Sequence, residues 1–281
     1  QALAQQSVQR LPRLAVLRCF LFLPLDSLDP SIHHFPLTKR FLLVCENESI
    51  FSPSKELCGY YGSIISPFRP NNFTGNWIKS HPSIPWFYGI EFSTSSGLLH
   101  HPLRSKYELK RLANYPRVAK DKLMSVIVSG KQGLIGHRWR QEVALELKHI
   151  LKDEVDIYGF GHNPLPDKRY GLDQYRFTLV IENMQYDSYW TEKLSDALLA
   201  RTIPIYIGCD NICDYFPLPF PNVRFAGNVE DTAREIISFI DNCTIDTHQL
   251  EESRNLVLYK YNMMYSVPES IINNREYNIR P

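Results

Sequence analysis

The chain has 281 residues, 44% of them hydrophobic and 22% charged, and a formal net charge of +1. That length supplies cores for two domains, while the near-zero charge excludes a chain-wide field for nucleic acid or an anionic membrane. Any anion site therefore has to be local. Six cysteines are too few for a disulfide scaffold.

In chain order, "LAVLRCFLFLPL" (residues 14–25) is too short for the ~20 apolar residues of a membrane span and carries Arg18, so it reads as a buried strand. Further strands are expected at "RFLLVCE" (40–46), "GSIISP" (62–67) and "WFYGIEF" (86–92). Pro-rich and Asn-rich connectors such as "SPFRPNNFTGNW" separate them. "SKYELKRLANYP" (105–116) reads as a short helix stopped by Pro116. The sequons at Asn47, Asn72 and Asn242 matter only in a secretory lumen.

Near Lys120 the texture changes. The runs "KLMSVIVSG", "VDIYG", "RFTLVIEN" and "IPIYIG" alternate with the helical patterns "HRWRQEVALELKHI", "TEKLSDALLA" and "VEDTAREIISFIDN". This alternation predicts a doubly wound parallel sheet, which binds ligands outside the carboxyl ends of its strands. Those ends are Ser129-Gly130, Tyr158-Gly159, Glu182-Asn183 and Gly208.

Two of these ends carry unusual residues. After the first, Gly133 and Gly136 lead into a helix opened by His137, Arg138 and Arg140. After the third, a helix opens on Glu192-Lys193. A helix start is partially positive, so cations there are unfavourable unless an anion sits against them. Arginine offers a bidentate fork and lysine a point charge, which together suit a diphosphate. Glu192 suits ribose or sugar hydroxyls; Asn183 and Tyr189 would position a base or sugar. Glu182 alone reads as a strand-end carboxylate in water, and Trp190 as core. Cys209-x3-Cys213 lacks a matching His or Cys pair and reads as buried or loop thiols, or a disulfide, rather than a zinc site. There is no G-x-G-x-x-G, no P-loop and no D-x-D triplet, which points away from dehydrogenases and NTPases. A transferase that neutralises a leaving diphosphate with cationic side chains, and no metal, fits better.

The run from Tyr175 to Gly208, "YRFTLVIEN…YDSYWTEKLSDALLARTIPIYIG", resembles the donor-site motif of the α1,3-fucosyltransferases, glycosyltransferase family 10. That motif reads approximately Y-K-F-x-L-x-F-E-N-S, a short loop, Y-x-T-E-K, a helix and P-x-Y-x-G. "SVIVSGKQGLIGHRWRQEVALEL", "NICDYFP" and "LVLYKYNM" resemble the flanking segments. The resemblance implies an α/β fold of GT-B type with two Rossmann-like domains facing a central cleft. Residues 1–118 would form the acceptor-side domain, 119–250 the GDP-sugar domain, and 251–281 a helical tail packing back on them.

Carried over position by position, the resemblance implies GDP-fucose contacts by Arg140, with Arg138 as its near alternative, and by Asn183, Tyr189, Glu192 and Lys193. It implies a catalytic base at Glu91 in "YGIEF", with Glu46 and Glu48 as rivals. Met184 stands where the family has serine and Ile207 where it has tryptophan. The implied reaction is inverting transfer of fucose from GDP-fucose to a glycan hydroxyl, α1,3-linked to a GlcNAc-type sugar. Another GDP-sugar donor, or a non-catalytic GDP-sugar-binding or glycan-binding relative, is the alternative. The expected partners are a nucleotide-sugar donor and a glycan acceptor, with no nucleic acid. No cofactor is required, and stimulation by Mn or Mg is left open. Membrane association would come only through a segment outside this chain. The resemblance puts a eukaryotic member in the Golgi lumen and a bacterial one in the cytoplasm.

Overall fold

The computed structural model describes residues 17–19, 30–92, 102–105 and 109–278. Contacts divide the chain into two units: residues up to Ile84 together with those from Tyr261 onward, and Pro85–Lys260.

The first unit is built on a parallel sheet of β1 (Leu17–Cys19), β2 (Phe41–Leu43), β3 (Ser63–Ser66) and β4 (Asn76–Lys79), in that order. A short helix, α1 (Lys55–Gly59), connects β2 to β3 and is capped by the Ser54 hydroxyl on the Leu57 amide. Successive strand residues point to opposite faces, so the apolar runs of β2 and β3 feed two cores. Leu42 and Ile64 pack with Leu57, Tyr61 and Phe73, while Phe41, Leu43 and Ile65 pack with Val267 and Ile271 of the C-terminal helix, Met263–Asn278. The tail therefore packs against the sheet of this unit.

The second unit begins with an antiparallel pair, β5 (Ile90–Phe92) and β6 (Pro102–Ser105), and a short helix α2 (Leu109–Ala113). There follow β7 (Lys122–Ile127), α3 (Ile135–Leu151), β8 (Val155–Tyr158), β9 (Tyr175–Ile181), α4 (Glu192–Leu199), β10 (Ile203–Ile207), α5 (Val229–Asp241) and α6 (Thr247–Leu256). The strands form a parallel sheet in the order β10-β9-β7-β8. Trp139, Val143 and Leu147 lie on one face of α3 at steps of four and pack on Met124, Val126, Phe177 and Leu179. Each such buried side chain contributes roughly 1.5–3 kcal/mol. The fold is thus α/β, each unit carrying its own parallel sheet.

Three features differ from the sequence reading. The division falls at Ile84/Pro85 rather than at 118/119. The segment after Pro85 is anchored to the second unit: the amides of Phe87 and Tyr88 donate to Asp196 Oδ1 at 2.7 and 2.8 Å, and the Tyr88 hydroxyl donates to Asp173 at 2.6 Å. The same bonds remove those amides from any ladder, so the strand expected over 86–92 starts only at Ile90. Finally, β4 lies at the end of the Asn-rich and Pro-rich connector, recruited by pairing along β3. Of the strand expected over 14–25, residues 17–19 are described, and the rest lies outside the described residues.

Among the described residues no helix is long and apolar enough to cross a membrane. Asn47 is fully buried, its Oδ1 accepting from the Ile50 amide at 3.2 Å, whereas Asn72 and Asn242 are exposed.

Candidate functional site

The site is assembled where β7 and β9, neighbours in the sheet, end side by side. Beyond β7 the chain passes Ser129 and enters α3 without a side-chain cap and without an acidic residue in its first turn. Its first amides are left for solvent or an anion. Gly136 lets this turn close on β9: a Cβ there would lie 2.3 Å from the Asn183 carbonyl oxygen.

Arg140, one turn into α3, is 8% exposed. Its Nη1 donates to Asn183 Oδ1 at 2.8 Å and its Nη2 to Ser129 Oγ at 2.9 Å, so the guanidinium ties the two strand ends together. Nε is buried without a hydrogen-bond partner among the described residues. Burial pulls the Arg140 pKa down, opposed by Glu182 and Glu192. Arg138 lies elsewhere. Two residues along a helix is more than half a turn, and Arg138 is exposed, donating to the Gln132 carbonyl at 3.1 Å. Of the two arginines, Arg140 alone joins the other candidates.

His137 belongs to the same cluster. It is 7% exposed, its Nδ1 accepts from the Leu134 amide at 3.4 Å, and it also hydrogen-bonds the Asn183 side chain. Burial, then Arg140, Lys131 and Lys193, push its pKa down from 6.5 to about 4, so it is neutral at pH 7. In the sequence His137 stands at the helix start, and its spacing of three from Arg140, one turn on the same helix, is the signal that joins it to the site.

Beyond β9, Glu182 overturns the reading of a carboxylate in water. It is fully buried. Its amide donates to the Ile207 carbonyl at 3.0 Å, and its carboxylate accepts from the Thr191 amide at 2.8 Å, the Thr191 hydroxyl at 2.9 Å and Lys193 Nζ at 2.7 Å. Gly208 makes room for it: a Cβ there would stand 2.6 Å from Glu182 Cγ. The anion that Lys193 needs at the start of α4 is therefore supplied first by the protein. Lys193 Nζ also donates to Thr191 Oγ1 at 2.9 Å, which leaves the third ammonium proton for another acceptor. Burial lowers the Lys193 pKa, but Glu182 and Glu192 outweigh it and hold the ammonium above its usual range.

Glu192 opens α4 beneath a Thr191 cap. Burial raises its pKa, but Lys193 and Lys168 outweigh this and keep the carboxyl below its usual range. Lys168, absent from the sequence reading, links the region: its Nζ is 2.6 Å from Asp196, 4.0 Å from Glu192 and 5.2 Å from the centre of the Phe87 ring. Tyr189 is buried and stacked on Tyr186 with centroids 4.9 Å apart, so it stiffens the loop. Trp190 is core, edge-on to Tyr215 and Phe216.

Glu91 lies in β5, partly exposed, opposite Arg104 in the register of β6. It stands three residues after Tyr88, whose amide is held by Asp196 on α4. Three residues reach at most about 10 Å, so the candidate base is tethered near the helix that carries Glu192 and Lys193. Glu46 and Glu48 belong to the other unit; Glu48 is exposed and accepts from Asn71 Nδ2 at 3.4 Å. Cys209 is buried and its thiol donates to Asn211 Oδ1 at 3.2 Å, while Cys213 is exposed. Among the described residues no three His, Cys, Asp or Glu side chains converge as a metal site.

The segment that carries this cluster also matches a known family. Residues 118–219 match the family described as Glycosyltransferase family 10 (fucosyltransferase) C-term. These residues are a family 10 glycosyltransferase domain. The family 10 domain spans β7 to β10, with Arg140, Asn183, Glu192 and Lys193 inside it. The chain is 40% identical over 72 residues to an alpha-(1,3)-fucosyltransferase of Helicobacter pylori, covering 25% of this chain and 15% of that protein. It is 35% identical over 173 residues to a 3-galactosyl-N-acetylglucosaminide 4-alpha-L-fucosyltransferase of Bos taurus, covering 57% and 38%. It is 28% identical over 223 residues to a bovine GDP-fucose protein O-fucosyltransferase 3, covering 71% and 41%. The chain therefore spans less than half of each of these relatives. An α1,3-fucosyltransferase crystallised with GDP-fucose aligns over 86% of this chain and 78% of its own, at 19% identity and a TM-score of 0.47.

Proposed function

We propose that the chain transfers fucose from GDP-fucose, with inversion, to the hydroxyl of an acceptor sugar of GlcNAc type, forming an α1,3 linkage. The observation that carries the reading is the meeting of Arg140, His137 and Lys193 around the ends of β7 and β9, beside the uncapped start of α3. Arg140 and Lys193 neutralise the diphosphate as it leaves, and the first-turn amides of α3 add donors. Glu192 accepts from ribose or sugar hydroxyls, and Asn183, shared by Arg140 and His137, fixes the guanidinium. Glu91 removes the acceptor proton as that oxygen attacks the anomeric carbon. The bond from that carbon to the β-phosphate oxygen breaks, and its electron pair leaves with GDP.

A second acceptor, a hydroxyl on a protein, is favoured by the match to the bovine protein O-fucosyltransferase, the longest of those given above. The test is calorimetry with GDP-fucose, GDP, GDP-mannose and UDP-glucose on wild type and Lys193→Ala, followed by transfer to GlcNAc-terminated glycans and to an unglycosylated peptide. GDP-fucose preference lost in the variant supports the donor site, and the productive acceptor chooses between the two readings. Equal binding of UDP-glucose, or full binding by Lys193→Ala, overturns it. Donor binding with turnover unchanged in Glu91→Gln removes Glu91 as base.

A further inference from the structure

The second unit holds a cavity of about 350 Å³ at the opposite end of its sheet from the donor cluster, where β7, β9 and β10 begin. Such a volume falls at the small end of ligand pockets, roughly 300–1,000 Å³. Four cations line it, Arg117, Lys120, Arg176 and Arg201, drawn from three separate stretches of chain; the carboxylates are Asp246 and Glu251. Apolar side chains such as Ile203 and Leu250 complete the wall.

The carboxylates are already committed. Glu251 pairs with Arg201 and with Arg117 at 3.1 Å, and Arg254 lies 3.7 Å away. Asp246 caps α6, accepting from the Gln249 amide at 2.8 Å. Among the described residues Lys120 Nζ donates to neutral oxygens: the Ala200 carbonyl and Thr202 hydroxyl at 2.8 Å and the Leu172 carbonyl at 3.3 Å. Burial lowers its pKa to about 8. Arg176 is exposed and makes no ion pair among the described residues. Arg201 reaches the cavity from the left-handed residue that ends α4, its amide donating to the Leu198 carbonyl and the Thr202 amide to the Ala197 carbonyl, both at 3.0 Å.

We propose that this cavity is a second binding site, for a phosphate monoester carried on a small, partly apolar body. The lining leaves two positive charges over. A phosphate monoester carries about −1.5 to −2 at pH 7, and arginine forks match its oxygens. A sulfate monoester supplies one charge and a neutral glycoside none.

The test is calorimetry with 4-nitrophenyl phosphate, 4-nitrophenyl sulfate and 4-nitrophenyl glucoside, on wild type and Arg117→Ala/Arg176→Ala. Both arginines are largely exposed, at 58% for the Arg117 side chain, so the variant keeps its core. The phosphate binds more tightly than the sulfate, the glucoside does not bind, and the double variant loses at least tenfold in phosphate affinity. Added salt weakens the binding, and excess GDP leaves it in place. Binding of the glucoside equal to that of the phosphate, unchanged affinity in the variant, no phosphate binding, or displacement by GDP each overturns the assignment. The last outcome would put the probe in the donor cluster. The result stands apart from the donor reading, since neither Arg117 nor Arg176 belongs to that cluster.

Discussion

Glu182→Gln tests the construction of the cluster most directly. The change keeps the size of the side chain and removes its charge. In the wild type a fully buried carboxylate faces the Thr191 amide at 2.8 Å, the Thr191 hydroxyl at 2.9 Å and Lys193 Nζ at 2.7 Å. A glutamine can accept from the amide, but its NH2 then turns towards the Lys193 ammonium, donor against donor. Removing one partner of a buried ion pair costs about 3–5 kcal/mol. The Lys193 side chain is 24% exposed, so water recovers part of this, and we expect about 3 kcal/mol. For a unit of this size that lowers Tm by about 6–12 °C. Thermal unfolding followed by near-ultraviolet circular dichroism reads the shift. Lys193→Met in the glutamine background removes the stranded charge and restores part of the loss, so the double-mutant cycle gives a coupling above about 1 kcal/mol. A loss below about 1 kcal/mol in the single variant, or simple additivity in the cycle, refutes the argument that Lys193 is held by Glu182.

Other consequences are equally measurable. Arg140→Ala weakens GDP binding by at least about 2 kcal/mol, about thirtyfold, whereas Arg138→Ala leaves it unchanged in the same calorimetry; equal effects would mean that exposure misjudges the two arginines. His137 has a folded pKa of about 4, below its ordinary 6.5. The unfolded chain therefore binds the extra proton between these values, and stability falls as pH drops from 6.5 to 4; His137→Asn flattens that stretch of the unfolding profile. A diphosphate beside His137 raises its pKa, so GDP binding at pH 5.5 takes up protons, seen as a binding enthalpy that changes with buffer ionisation heat. Gly208→Ala drives a methyl into Glu182 Cγ and the Tyr206 hydroxyl, a clash worth about 1–3 kcal/mol, read as a lower Tm.

The alternation of the second unit is legible in the amino-acid pattern alone. Apolar runs ending in glycine or asparagine became β7, β9 and β10, and the periodicity of Trp139, Val143 and Leu147 became the inner face of α3. The same pattern also marked the ends of β7 and β9 as the place for cations, because arginine and lysine at helix starts oppose the helix dipole. Which charges meet is set by packing across the sheet. Lys168 precedes Asp196 by 28 residues, and nothing local brings them to 2.6 Å. Glu182 is buried because Gly208, just past the end of the neighbouring β10, leaves room for it. Phe87 and Tyr88 give up a strand ladder for the carboxylate of Asp196, more than 100 residues away, which carries Glu91 into the same unit as Lys193. β4 became a strand because β3 offered an edge. Local pattern sets the elements through periodicities of two and 3.6 residues. Burial and charge pairing depend on distances across the sheet, which no local pattern contains.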